Sequence, residues 1–129
     1  MLTFHHTGCV VKSLVEAVEA YRPVARSIGD VYHITSQGVK VCFVEVSPGC
    51  FIELIEPVDP DSPARLILKN RIAFYHIGLL TRDFDAAMAD LIRQGYMLIS
   101  TFCSEAFALR RCAFLASPVS HLIEIIEQD

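Results

Sequence analysis

Apolar and polar positions along the chain switch between a period of two and a period of about 3.6, and the switches mark out its elements. Residues 3–11 form an apolar, β-branched run holding one glycine, which predicts a strand. After Ser13, Leu14, Val15, Val18 and Tyr21 recur at helical spacing. Glu16 follows Ser13 as in a capping box, and Pro23 ends or bends the helix. Strands are expected at 30–35, 39–46 and 50–57, turned by Gly38 and by Pro48-Gly49. Prolines 57, 60 and 63 stiffen a linker, and residues 64–70 read as a short crossing helix. The order then repeats. A strand at 73–81 leads to Asp83 as a cap, and a helix at 84–94 has Phe84, Ala87, Met88 and Leu91 on one face, with Gly95 as its stop. Strands follow at 96–101, 110–116 and 121–127, with Pro118 and Ser120 marking the last hairpin turn. Both series read β-α-β-β-β. The expected fold is therefore α+β, a single domain over 1–129 made of two tandem modules, 3–57 and 73–127, joined by a linker at 58–72.

The two series also share residues. Phe-His-His-Thr-Gly at 4–8 answers to Phe-Tyr-His-Ile-Gly at 74–78, and Ile-Glu-Leu-Ile-Glu at 52–56 answers to Ile-Glu-Ile-Ile-Glu at 123–127. His6 matches His76 at an offset of 70, while Glu53 matches Glu124 and Phe43 matches Phe114 at 71. A nearly constant offset of 70–71 across three separate stretches identifies a duplicated module.

The matched polar residues carry the candidate chemistry. Alternation puts Phe4, His6, Gly8 and Val10 on one face of their strand, and Phe51, Glu53 and Ile55 on one face of theirs; Phe74, His76, Gly78 and Leu80, then Leu122, Glu124 and Ile126, repeat the pattern. A mid-strand carboxylate between apolar neighbours is costly to bury unless something pairs with it. Two imidazoles and two carboxylates brought together by facing modules form a ligand set suited to zinc, cobalt, nickel, iron or manganese. A lone strand histidine is more often a hydrogen-bonded core residue, and a lone strand glutamate more often faces solvent at a sheet edge; the pairwise match of all four is what favours ligands. His5, His33 and His121 have no histidine partner in the repeat, and Glu56 and Glu127 fall on the opposite face, near strand ends.

Bulk properties narrow the setting. The net charge of −4 argues against nucleic acid as a partner. No run reaches the ~18 apolar residues of a membrane span, and the start Met1-Leu2-Thr3-Phe4 lacks a basic region ahead of an apolar core, so a cytoplasmic protein is expected. The 5 cysteines are odd in number and form no Cys-x-x-Cys pair, which reads as reduced cysteine. Sheet edges and the 53% hydrophobic content suggest a homodimer.

The chain resembles the vicinal-oxygen-chelate superfamily of glyoxalases, bleomycin-resistance proteins, extradiol dioxygenases and methylmalonyl-CoA epimerases, and the epimerases most. The likeness rests on His6-Thr7-Gly8, Tyr75-His76-Ile77-Gly78, Ile52 to Pro57 and Leu122 to Ile125. More specific are the run Gln37 to Val44 and the linker Asp59-Pro60-Asp61-Ser62-Pro63. The resemblance implies an open, barrel-like cup around one divalent metal ion (cobalt, zinc, nickel or manganese). It implies His6, Glu53, His76 and Glu124 as ligands, with two positions left for a substrate having two neighbouring oxygens. It further implies an epimerase or isomerase that abstracts a proton next to a carbonyl, with Glu124 as the base and an acyl thioester as the substrate. The alternatives are a glyoxalase-type lyase and a non-catalytic small-molecule binder of the bleomycin-resistance kind.

Three stretches depart from the epimerase pattern. Val41 stands at a cup-facing position and cannot serve as a second base. Residues 22–30 replace a fuller helix and turn. Residues 104–111 contain no glycine where the epimerases carry a glycine-rich loop. Phe107 and Leu109 would fill space there, so a different substrate is expected. Glu105, a solvated loop residue on the simpler reading, is a candidate acid or base at the rim. Arg65, Lys69, Arg71, Arg110 and Arg111 are candidates for a cationic rim, with Arg110-Arg111 foremost.

Overall fold

A computed structural model describes residues 2–70, 73–118 and 121–129. Arg71 of the expected cationic rim and Ser120 of the expected last turn lie outside them. The strands are β1 (Thr3–Val10), β2 (Ser27–Ile34), β3 (Val39–Ser47), β4 (Cys50–Pro57), β5 (Phe74–Thr81), β6 (Met97–Ser104), β7 (Arg110–Ala116) and β8 (Leu122–Glu127). The helices are α1 (Leu14–Tyr21), α2 (Ala64–Lys69) and α3 (Phe84–Arg93). One eight-stranded sheet runs in the order β2-β3-β4-β1-β5-β8-β7-β6 and curls into a half-barrel. The duplication is visible in this order: each module contributes four strands, and β1 and β5 meet antiparallel at the seam.

Local chemistry sets most boundaries as the sequence predicts. Ser13 Oγ accepts from Glu16 N at 3.3 Å, and Asp83 Oδ1 accepts from Ala86 N at 3.1 Å, so both long helices start on side-chain caps. Glu56 adds a second acceptor at α1, where its Oε1 takes the Leu14 N–H at 2.7 Å. Gly95 follows α3 at φ 96°, a backbone that favours glycine. Two strands run beyond the expected bounds. β2 begins at Ser27, three residues earlier than the pattern shows, across an irregularity between Ile28 and Val31, and β6 extends to Ser104. Val15, expected on the buried face of α1, is exposed. There Leu14, Ala17, Val18 and Tyr21 pack on Cys42, Val44 and Leu54.

The convex face of the sheet is covered by α1 on one module and α3 on the other. Phe84 and Met88 pack on Ala113, Leu115, Ile123 and Ile125. Alternation then aims the opposite side chains of the same strands into the concave face. Val39, Val41 and Ile55 line it beside Ala64 of α2. All five cysteines are free, and Cys42 and Cys112 are buried. Among the described residues no helix is long and apolar enough to cross a membrane.

Each module places a 3-10 turn before its third strand, at Thr35–Gln37 and at Glu105–Phe107. The first ends on Gly38 with φ 63°; the second ends on Ala108 with φ 55°, followed by Leu109 with φ 61°. Left-handed backbone costs a non-glycine residue about 1–2 kcal/mol, so the second module holds strain where the first holds glycine. An Ala108→Gly variant should gain roughly 0.5–1 kcal/mol after the entropy of the freer unfolded chain is subtracted. Gly38→Ala should lose about 2 kcal/mol or more, since strain is joined by a Cβ only 2.8 Å from Asp59. Urea midpoints at unchanged slope test both.

Candidate metal centre

The register at the seam assembles the cluster. Across β1 and β5, His6 lies opposite Gly78 and Gly8 opposite His76. Gly8 also neighbours Glu53 in the parallel pair with β4, and Gly78 neighbours Glu124 in the pair with β8. Each glycine therefore makes room for the other module's imidazole. A Cβ at Gly8 would come within 2.7 Å of both His76 ring nitrogens, and one at Gly78 would overlap the ring of His6. The His-x-Gly motif is one packing unit used twice.

His6, Glu53, His76 and Glu124 are all buried, and one ligand atom from each lies within 4.8 Å of the others. The two Nε2 atoms are 2.9 Å apart. Oε1 of Glu53 sits 3.3 Å from His6 Nε2 and 3.2 Å from His76 Nε2, and Oε1 of Glu124 sits 3.3 and 3.4 Å from them. Burial opposes charge on all four groups, but their mutual attraction wins. Facing carboxylates raise both histidines, and facing imidazoles hold both carboxyls below the usual range. One N–H···N hydrogen bond can span the 2.9 Å between the rings, with one imidazole donating and the other accepting, but it leaves only one of the two Nε2 atoms as a donor. Glu124 Oε1 and His76 Nδ1 are also buried without a hydrogen-bond partner. A single divalent cation among these atoms would give all four ligand atoms a common partner. Donors about 2.0–2.2 Å from a common centre and near a right angle stand about 3 Å apart, close to the separations found. The cluster could therefore hold a metal ion through the four residues singled out by the duplication.

Two residues beside the cluster escape the repeat logic. His5 and Tyr75 are both left unmatched where the β1–β5 register shifts, between Phe4 and His6 on one strand and between Phe74 and His76 on the other. Each bulge turns its residue toward the concave face. His5 Nδ1 lies 3.0 Å from His6 Nδ1. Burial and the charge of His6 draw His5 down to about 4, so it is neutral and can accept an N–H from His6 Nδ1. Tyr75 is raised to about 12 by burial and by Glu124 and Glu53, so its hydroxyl stays protonated. The sequence signal was there, an aromatic ring preceding each cluster histidine, but the bulges are not visible in a one-dimensional pattern.

The two sides of the cluster differ. Around His6, the rings of His5, Phe43 and Phe107 close in, with His5 to Phe107 at 5.2 Å and Phe43 to Phe107 at 5.7 Å, and Phe107 stacks on His6 itself. On the other side a small pocket of about 30 Å³ reaches Glu53, His76 and Glu124, with Val41, Tyr75 and Phe114 among its walls. Glu105 is half-buried rather than solvated, and its Oε2 accepts from Thr35 N at 3.3 Å and from Thr35 Oγ1 at 2.9 Å. Arg111 pairs with Glu127 and Asp85 and lies over Phe84, while Arg110 pairs with Asp129. Arg65 donates to the carbonyls of Asp59 and Val58. None of Arg65, Arg110 and Arg111 lines the pocket.

Gly78→Ala should displace the His6 ring, cost about 1–3 kcal/mol, and abolish cobalt uptake measured by elemental analysis. His5→Phe should leave uptake possible but weaken cobalt affinity by about tenfold or more, through loss of the acceptor at His6 Nδ1; competition against a chromophoric chelator measures it.

With this geometry in hand, comparison with solved structures gives matches over nearly the full length. A variant of the Streptomyces coelicolor methylmalonyl-CoA epimerase in complex with 2-nitronate-propionyl-CoA is 26% identical at TM-score 0.81, with 99% of each chain covered. The methylmalonyl-CoA epimerase of Mycobacterium tuberculosis is 24% identical at TM-score 0.84, covering 98% of this chain and 87% of that one. A hypothetical protein from Bacillus halodurans is 24% identical at TM-score 0.80, covering 99% and 95%. Likeness at 24% speaks for the fold alone. Comparison with curated proteins gives no match. Residues 5–114 match the model of the Glyoxalase/Bleomycin resistance protein/Dioxygenase superfamily, and the chain belongs to that superfamily.

Proposed function

We propose that this chain is a divalent-cation-dependent enzyme that removes a proton from a carbon next to a carbonyl, with His6, Glu53, His76 and Glu124 holding the cation. The observation that carries this reading is the convergence of two buried imidazoles and two buried carboxylates, with one ligand atom from each within 4.8 Å of the others. A bound divalent cation supplies Lewis-acid stabilisation of the negative charge that develops on a substrate oxygen. Glu124 is the base. Its carboxylate lines the pocket, beside a substrate carbon lying there. The Tyr75 hydroxyl, protonated and on the pocket wall, can donate to a substrate oxygen. The apolar wall keeps bulk water from the reacting carbon.

Inverting a stereocentre needs acid–base groups on two opposite faces. Val41 occupies the cup position where a second base would stand and is buried among aliphatic neighbours. Besides Glu53, His76 and Glu124, one titratable residue lines the pocket among the described residues, Tyr75. This one-sided arrangement favours transfer of a proton between neighbouring atoms on a single face, as in a glyoxalase-type lyase, beside the epimerase reading supported by the acyl-CoA complex of the Streptomyces coelicolor relative.

Cobalt or zinc at 100 times its dissociation constant should stabilise the fold by about 2.7 kcal/mol, a rise in Tm of several degrees that Glu53→Ala removes. Protein loaded with cobalt should exchange the α-hydrogen of a 2-methyl acyl thioester for solvent deuterium, read by mass spectrometry. Glu124→Gln should slow that exchange by about 100-fold or more. Turnover of methylglyoxal with glutathione in place of exchange selects the lyase. Absence of both activities in the loaded protein sinks the enzyme reading.

A further inference from the structure

The duplication gives the cluster two approaches, one from each module, and the chain has closed one of them. Phe107 and Gln37 are repeat partners at an offset of 70. Phe107 stacks on His6 with ring centroids 6.2 Å apart and is held by His5 and Phe43. Gln37 lines the open pocket instead. There, Phe114 and Tyr75 stand in the places that Phe43 and His5 occupy on the closed side. The open wall is mostly hydrocarbon, with Ile34, Val39, Val41, Ile55, Phe102 and Phe114. Among the described residues no lysine or arginine lines it, and its formal negative charges are those of Glu53 and Glu124, which belong to the cluster. A ligand tail bearing a carboxylate or phosphate would lose its hydration there and meet no positive partner. An alkyl or aromatic tail would gain from burial.

We propose that this pocket selects a ligand whose oxygen-bearing head meets the cluster and whose substituent is uncharged and apolar, larger than a methyl group. The proposal rests on the cation reading only for the head; the pocket's preference for hydrocarbon stands apart from it. Gln37 is the specificity-determining residue at its wall, where an aromatic side chain would repeat on this side what Phe107 does on the other.

Alkyl hydroxamates, which chelate through two neighbouring oxygens, test this with the cobalt-loaded protein. Titration followed by the cobalt visible spectrum should give hexanohydroxamate an affinity at least tenfold above acetohydroxamate. The succinic half-hydroxamate, with its terminal carboxylate, should gain nothing. Gln37→Phe should reduce the hexano-to-aceto ratio toward one. Equal affinity for the hexano and aceto compounds in the parent protein overturns the pocket assignment and leaves the cation reading intact. If no cobalt binds, the cation reading fails by itself, and metal-free protein decides the pocket. Hexanamide should then shift the methyl NMR signals of Ile34, Val39, Val41 and Ile55 while succinamate does not; no shift, or equal shifts from both, overturns the proposal.

Discussion

The structure depends on a reciprocal contact at the seam between β1 and β5. His6 lies over Gly78, and His76 lies over Gly8. Only a residue without Cβ leaves that space, so the glycines fix where the rings can rest. The rings in turn penalise any slip in the register, because a one-residue shift would drive them into a side chain and turn each strand over. The same contact joins the modules and brings four polar groups to one point. Stability and site geometry are thus coupled at the level of two backbone positions.

Around that symmetric seam the two halves have diverged. The first module keeps glycine at the left-handed end of its 3-10 turn, and the second holds Ala108 and Leu109 in left-handed backbone. Strain of this kind persists only where surrounding contacts enforce it. Here Glu105 grips both the N–H and the hydroxyl of its own repeat partner, Thr35, and Phe107 is wedged among three rings. These contacts tie the second module's turn across the cup onto the first. The result is a cluster covered on the His6 side and open on the His76 side. A duplicated fold with two equivalent approaches has become a site with one.

Charge is distributed to the same end. The cationic side chains near the end of the second module are committed to neighbouring acids, with Arg111 shared between Glu127 and Asp85 and Arg110 paired to Asp129. Exposed pairs of this sort add little to stability, but they hold positive charge away from the pocket. Inside, among the described residues, the buried carboxylates pair with the two imidazoles. Most of the local field therefore comes from the four clustered groups, in surroundings where water does little to screen them.

The chain alone fixed the duplication, the β-α-β-β-β order of each module and the identity of the four clustered residues, because period-two and helical patterns and a nearly constant offset are properties of a one-dimensional string. Helix caps at Ser13 and Asp83 were equally legible, since capping is a local hydrogen bond. What only tertiary structure decided were the events that depend on a facing strand. The bulges that turn His5 and Tyr75 inward arise from mismatched register between β1 and β5, and the early start of β2 at Ser27 arises from pairing with β3. The ordering of Glu105 by Thr35 and the covering of His6 by Phe107 join residues about 70 and 100 positions apart. No pattern within one segment encodes which side of a symmetric cup its partner will fill; packing does, because only one side chain can occupy a given space.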